Sequence, residues 1–367
     1  MNWGLYNLTT TTQGGGVEMS VWALGRELVH RGHRVTILGG QGGRPLPVEA
    51  REMEIKTFPF RPRESFPDLG TRARKFMERL SFARKALPFM LNSGLDRVLV
   101  FKSYDLAPAL WAGRRMGAKV GFLSGGSEFY PGYRRLAASL DYLAAVSAFT
   151  AGQISQATGL QPQVNHLGVD LGRFQPAPPD PEMARRCGLA PGQLALVAAV
   201  RLVALKGLQR AIKALALLGE RWPELKLLIA GEGPYRGELE GRARAAGVVD
   251  RVVFLGFLPP ERLVGFYALG TMAVFPSMGE EALGLSIAEA MACGLPVVAS
   301  RLGGVPEVVG DCGVLVPAKD DQALAQAIAG LLSDPERRAE LARAGRRRVA
   351  AEFSWSACAA RLEEGMS

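Results

Sequence analysis

Histidine and cysteine are scarce, with 3 His and 4 Cys in 367 residues. The cysteines (Cys187, Cys293, Cys312, Cys358) form no Cys-x-x-Cys pair, so neither a zinc site nor a disulfide framework is expected, and the cytoplasm is the simplest home. His30, His33 and His166 do not gather into a metal-ligand pattern. No run of 18 apolar residues occurs, so no membrane span is expected. The opening "MNWGLYNLTTTTQGGG" lacks the basic start and apolar core of a signal peptide. There is no Gly-x4-Gly-Lys-Ser/Thr loop and no Asp-x-Asp pair. A Walker-type nucleotide site is therefore excluded, and no carboxylate pair is available to bridge a metal to a diphosphate.

What is present is apolar residue and glycine. The chain is 48% hydrophobic, which excludes a disordered protein, and has 44 glycines, many where a strand hands over to a helix. Its length suggests two domains. The net charge of +9 suits an anionic substrate, an anionic membrane or nucleic acid, and alone does not choose among them. Part of the excess is local: eight Lys/Arg against three Asp/Glu lie between Arg61 and Lys85. Within that stretch "RARKFMERLSFARKAL" sets Phe76, Leu80, Phe82 and Leu87 among the charges. It reads as a surface helix or as a basic amphipathic helix for an anionic membrane.

Apolar runs alternate with helical patterns almost throughout. "WGLYNLT", a helix beginning in "GGGVEMS" and "HRVTILGG" form a strand–helix–strand opening, and "RVLVF", "AKVGFLS" and "DYLAAVS" extend the same half. Five prolines between Pro162 and Pro181 read as a linker. A second series follows: "QLALVAAVRL", "LKLLIAGEG", "RVVFLGFL", "MAVFPS", "PVVAS" and "GVLVP". The expectation is an α/β protein of two doubly wound Rossmann-like domains facing a central cleft. Its bounds are 1–172 (with a helix over 352–367 crossing back) and 173–351.

The most informative stretch is "GEEALGLSIAEA", in which Glu281 and Glu289 bracket a mostly apolar segment. Gly284 and Leu285 fall at the first turn of a helix, where free backbone N–H groups and the positive dipole end favour an anion. Carboxylates on either side suit hydroxyl pairs rather than phosphate. Arg201 and Lys206 in "VAAVRLVALKG" follow a strand and can neutralise a diphosphate. Gly14, Gly15 and Gly16 offer close backbone approach in the other half. Gly231, Gly233 and Gly237 imitate a dinucleotide fingerprint, but with the wrong spacing and with Pro234 intervening.

These residues together resemble the retaining glycosyltransferases of the GT-B fold, glycosyltransferase family 4. The most specific mark is the E-x7-E motif, Glu281 to Glu289, supported by "NHLGVDLGRF", "VRLVALKG", "LLIAGEGP" and "VVFLGFLPPERL". The resemblance implies transfer of a sugar from a nucleoside diphosphate sugar, a UDP-sugar foremost, with no metal and no other cofactor. Glu289 would accept the ribose hydroxyls and Glu281 those of the sugar. Arg201, Lys206 and the backbone of Gly284 and Leu285 would grip the diphosphate; Glu281, Arg201 and Lys206 would form the catalytic set. The backbone near Leu258 would read the base, and Gly15 and Gly16 would close on the donor. The helix near Trp355 would brace the N-terminal domain. The acceptor would be a hydroxyl of a glycan, glycolipid or small molecule, with no role for nucleic acid. One departure stands out: "LSGGSEF" has Gly125 where relatives carry a histidine near the reacting carbon, with Glu128 a few residues on. That departure keeps open a nucleotide-sugar-binding protein without turnover.

Overall fold

The computed structural model describes residues 1–126 and 128–367. The chain divides into two units, Met1–Gly168 with Trp355–Ser367, and Val169–Ser354. The crossings lie at 168/169 and 354/355 rather than at 172/173 and 351/352, because the two segments are tied together inside the second unit. Val169 N donates to Phe353 O (2.7 Å), and Val169 bridges to Ser354. The prolines from Pro176 to Pro181 therefore run along the second unit, and Pro176 lies against Gly294.

In the first unit the described residues form strands β1 (Asn2–Tyr6), β2 (Arg34–Gly40), β3 (Glu54–Phe58), β4 (Arg97–Val100), β5 (Lys119–Ser124), β6 (Tyr142–Ala145) and β7 (Gln163–Val164). They pair in parallel in the order β3-β2-β1-β4-β5-β6-β7. The inner strands read as unbroken apolar runs because helices cover both faces. The edge strand β3, "EIKTF", alternates and is partly polar, and it is absent from the apolar pattern of the sequence. Helices α1 (Gly16–His30), α2 (Thr71–Leu91), α3 (Leu106–Met116), α4 (Tyr133–Ala137) and α5 (Ala148–Thr158) connect these strands.

α2 corrects one reading of the basic stretch. Phe82 is wholly buried against Tyr6 and Phe58, so it belongs to the core and not to an outward apolar face. Phe76 and Leu80 are each 48% exposed, and they share their side of the helix with Arg72 and Arg84. No helix among the described residues is long and apolar enough to cross a membrane.

The second unit contains β8 (Ala195–Ala199), β9 (Lys226–Ala230), β10 (Val252–Gly256), β11 (Met272–Phe275), β12 (Val297–Ser300) and β13 (Val314–Val316). Their order is β10-β9-β8-β11-β12-β13, again parallel. Around them run α6 (Pro181–Arg186), α7 (Leu208–Leu217), α8 (Arg236–Ala245), α9 (Pro260–Tyr267), α10 (Leu285–Ala292), α11 (Val305–Val309), α12 (Asp321–Ser333) and α13 (Pro335–Glu352). Leu196, Ile212, Leu227, Val274 and Ile328 belong to one continuous core here. The last helix, α14 (Trp355–Gly365), folds with the first unit. Glu363 pairs with Arg31 (2.6 Å) and His33 (2.5 Å), and Asn165 Nδ2 donates to Cys358 O (3.2 Å). Gly365 fits only because it lacks a Cβ, which would lie 2.2 Å from the Tyr142 ring.

Candidate functional site

In the second unit β8 and β11 are neighbours, and the connections leaving them turn to opposite sides. Their carboxyl ends therefore form a topological switch point, where doubly wound sheets bind ligands. The loop after β8 carries Arg201 and Lys206; the loop after β11 carries Ser277, Glu281 and Gly284. Glycines press these loops together. Gly207 has φ +71°, and a Cβ there would lie 1.7 Å from Pro276 O. Leu205 O accepts from Met278 N (2.8 Å) and Gly279 N (3.2 Å).

The opposite side of the Arg201 loop explains the dinucleotide look-alike. A Cβ on Gly231 would meet Val200 O at 2.0 Å, and one on Gly233 would meet Leu202 O at 2.3 Å. Leu202 N donates to Glu232 O (2.8 Å), and Tyr235 N to Leu202 O (3.0 Å). Gly231 and Gly233 therefore seat the loop that bears Arg201. Gly237 sits within α8, where an added Cβ would meet nothing within 4 Å.

Lys206 Nζ donates to Glu281 Oε1 (2.6 Å), and Ser277 Oγ donates to the same oxygen (2.9 Å). Glu281 Oε2 has no partner among the described residues. The main chain of Glu281 is fixed from behind: its carbonyl accepts from Gly304 N (2.8 Å), and a Cβ on Gly303 would meet that carbonyl at 2.2 Å. Gly284, with φ +100°, precedes α10, and no side chain caps the helix. The N–H groups of its first turn are thus available to an anion. Arg201 is exposed, and its guanidinium has no hydrogen bond or ion pair among the described residues.

Glu289 lies on α10, five residues into the helix, partly buried and with no side-chain hydrogen bond among the described residues. Burial pushes its carboxyl up to about 7, against the opposing pull of Arg173. Its charge in turn helps raise the nearby Tyr267 hydroxyl and the Cys293 thiol, after burial itself. Leu258 is buried just after β10, beside exposed Phe257, whose N–H donates to Glu232 Oε1 (3.4 Å). The structure thus gathers Arg201, Lys206, Glu281, Gly284 and Leu285 onto two adjoining loops of one switch point, with Glu289 one helical turn farther in.

The remaining expected residues belong to the first unit. Gly15 precedes α1 in extended backbone, and Glu18 crowds it: a Cβ on Gly15 would lie 2.7 Å from Glu18 Oε2. Thr9 Oγ1 holds the other Glu18 oxygen (2.6 Å). Gly16 is open, while Gly14 lies under the Arg44 guanidinium. Gly125 and Glu128 line a cavity of about 270 Å³ at the first unit's own switch point, together with Val17, Lys102 and Tyr133. Glu128 is bonded to Lys75 (2.6 Å). Behind the cavity wall the buried Asp105 pairs with Arg79, and burial pushes its carboxyl up to about 6. Sequence reasoning missed Ser277, Glu18 and Lys102. Ser277 and Lys102 each stand at the carboxyl end of a strand, which is the one signal that could have singled them out.

Residues 14–173 match the model described as Glycosyltransferase Family 4, and residues 181–348 match Glycosyl transferases group 1. A GDP-mannose-dependent alpha-(1-6)-phosphatidylinositol monomannoside mannosyltransferase of Mycolicibacterium smegmatis is 37% identical over 245 residues, 64% of each chain. A D-inositol 3-phosphate glycosyltransferase of Segniliparus rotundus is 35% identical over 238 residues, 62% of this chain and 52% of that one. The match thus spans less than two thirds of either relative. Sucrose-phosphate synthase from Thermosynechococcus elongatus shares the fold with a TM-score of 0.83 and 22% identity, covering 99% of this chain and 97% of its own. Anabaena HepE in complex with UDP and glucose gives 0.79 and 20%, covering 99% and 98%. With two parallel-sheet Rossmann-like units, and both models matched in tandem, the chain belongs to the GT-B glycosyltransferases, a family 4 domain followed by a group 1 domain.

Proposed function

We propose that the protein transfers a sugar from a nucleoside diphosphate sugar to an acceptor hydroxyl, with retention of configuration and without a metal. The observation that carries this reading is the Lys206–Glu281–Ser277 cluster beside the uncapped start of α10. Arg201, Lys206 and the N–H groups of Gly284 and Leu285 would take the diphosphate. As the bond to the anomeric carbon breaks, negative charge grows on the departing diphosphate, and fixed cations and N–H donors stabilise it there. Glu281 would offer its second oxygen to a sugar hydroxyl, Glu289 would accept the ribose hydroxyls, and the backbone at Leu258 would meet the base. The acceptor hydroxyl would attack the same face that the diphosphate leaves, passing its proton to the diphosphate oxygen, so no protein nucleophile is needed.

Several supports bear on the partners. A UDP-sugar is the donor favoured by the sequence reading, and GDP-mannose is its direct rival through the first relative's name. Those relatives are also named for inositol-containing acceptors, one of them a lipid. The outward side of α2, with Phe76 and Leu80 among Arg72 and Arg84, supports peripheral contact with an anionic membrane at the cytoplasmic face. A thermal-shift screen of UDP, GDP and their sugars tests the donor reading, because a ligand of the native fold raises the melting temperature. One nucleotide family should stand out, and the Glu289→Ala variant should lose most of that shift. No stabilisation by any nucleotide would end the proposal. Gly125 motivates one rival, a donor-binding protein without turnover. Donor binding by calorimetry with no transfer to a broad acceptor panel would favour that rival.

A further inference from the structure

Three helices of the second unit end against α13, and an arginine of α13 meets the terminal carbonyls of each. Arg338 Nη1 donates to Leu332 O (2.8 Å) in the last turn of α12. Arg346 Nη1 donates to Ala292 O (2.7 Å), at the last residue of α10. Arg348 donates from Nη2 to Glu307 O (2.7 Å) and from Nε to Val308 O (3.1 Å), in the last turn of α11. A cation at this end complements the negative pole of the helix dipole.

For α10 the arginine completes the hydrogen bonding. The last four carbonyls of a helix lie beyond the reach of its own N–H groups. Cys293 N (3.0 Å), Leu295 N (3.1 Å) and Gly294 N (3.0 Å) donate to the carbonyls of Glu289, Ala290 and Met291. Ala292 O remains, and Arg346 supplies its donor. Gly345 seats the same end of the helix, since a Cβ there would lie 3.2 Å from Met291 Cε. Arg348 is itself held by Glu352 (2.9 Å) and lies over the Phe353 ring at 5.7 Å.

The other ends of the three helices differ in what they reach. α10 starts after Gly284, and its first-turn N–H groups belong to the candidate site. α11 starts after Gly304, whose N–H donates to Glu281 O (2.8 Å), beside the Gly303 that seats the same carbonyl. α12 starts after Asp320, which caps its own helix by accepting from Ala323 N (2.9 Å), outside the site. With eight residues in α10 and five in α11, about 12 Å and about 8 Å separate the arginine contacts from the site. Packed helices this short pass a shift at one end to the other.

We propose that Arg346 and Arg348 are positioning residues for the candidate site. From α13 they set α10 and α11, and through them the N–H groups of Gly284 and Leu285 and the main chain of Glu281. This rests on the glycosyl-transfer reading and adds to it two residues that touch no substrate. Arg338 makes the same kind of bond from the same helix, but to a helix that does not reach the site.

The test measures UDP and GDP binding by calorimetry, using whichever the wild type binds. The variants are Arg346→Met, Arg348→Met and Arg338→Met, with Arg346→Lys and Arg348→Lys. Each is measured at a temperature where circular dichroism shows it folded. All three Met variants should melt lower, because each leaves a helix end without its donor. Binding should weaken by about threefold or more in Arg346→Met and Arg348→Met, since a small misplacement of site groups is costly. It should keep its wild-type strength in Arg338→Met. Lysine can replace the single bond of Arg346 but not the fork of Arg348, so Arg346→Lys should recover most of the affinity and Arg348→Lys less. Should Arg348→Met fail to fold, Arg348→Lys decides for that residue. Wild-type affinity in the folded variants of either arginine would overturn its role. Equal weakening in Arg338→Met would overturn both, because a general loss of stability predicts that result. Absence of nucleotide binding by the wild type would defeat the donor reading and this inference with it, whereas binding that the variants keep would defeat the inference alone.

Discussion

Glu289 gives the strongest quantitative test, because its proposed role and its effect on stability pull in opposite directions. A carboxyl raised to about 7 from an unfolded value of 4.5 binds its proton more tightly in the folded chain. Its contribution to stability is full below pH 4.5 and is lost as pH rises through about 7. At alkaline pH the full loss is about 3 kcal/mol at 1.36 kcal/mol per pKa unit. Because part of the side chain faces solvent, a gain on the order of 1–2 kcal/mol is the expectation for Glu289→Gln. In a domain of this size that is a rise of roughly 2–8 °C in melting temperature. The measurement is thermal melting of wild type and Glu289→Gln from pH 5.5 to pH 8.5, with and without the nucleotide that the screen selects. The stability advantage of the variant should grow with pH, while its nucleotide-induced shift shrinks. A stability difference that stays flat with pH would refute the account of a costly buried carboxylate. An advantage that grows with pH alongside unchanged nucleotide binding would instead refute the ribose role.

Other expectations follow from the same geometry. Gly207→Ala puts a methyl group 1.7 Å from Pro276 O at φ +71°, so it should lower the melting temperature and weaken nucleotide binding together. Retained nucleotide affinity in that variant would show that the loop contact does not position Lys206. Lys206→Met should reduce transfer by tenfold or more, through kcat more than through KM, if the ammonium acts mainly on charge that develops in the transition state. An effect on KM alone would assign it to ground-state binding. Phe76→Glu with Leu80→Glu alters two half-exposed side chains, so melting should move little while flotation with anionic vesicles at low salt is lost. Flotation persisting in that double variant would remove α2 as the membrane contact.

The clustering of the candidate site in the second unit is legible in the sequence because its information is local. Glu281, Gly284 and Glu289 lie on one strand–loop–helix passage, and the spacing alone puts one carboxylate before the helix and the other inside it. Arg201 and Lys206 were visible as cations at a strand end. Ser277 was not singled out, although it is only four residues from Glu281, since a serine after a strand carries no signature until the loop folds back. The role of Gly231 and Gly233 was equally invisible. Their spacing imitates a phosphate turn, but the reason for each glycine is a carbonyl of the neighbouring loop, about thirty residues away in sequence. Phe76 and Phe82 look alike as apolar residues on a basic helix. Which of them faces the core depends on the packing of α2 against Tyr6 and Phe58, and periodicity alone left that open.

The two units place different charged groups on one topology. In each the first six strands run in parallel as 3-2-1-4-5-6 in its own count, the first unit adding β7 at the edge, and each has distinctive polar groups past its first and fourth strands. In the second unit those positions hold Arg201 and Lys206 on one loop and Ser277 and Glu281 on the other, next to a helix start that no side chain caps. In the first unit the helix after the first strand, α1, carries Glu18 in its first turn, bonded to Thr9, so a carboxylate stands where the second unit has Arg201 and Lys206. The available cation has moved to Lys102, after the fourth strand, among apolar walls. After the first strand one unit therefore carries a pair of cations and the other a carboxylate, and only the first arrangement suits a diphosphate.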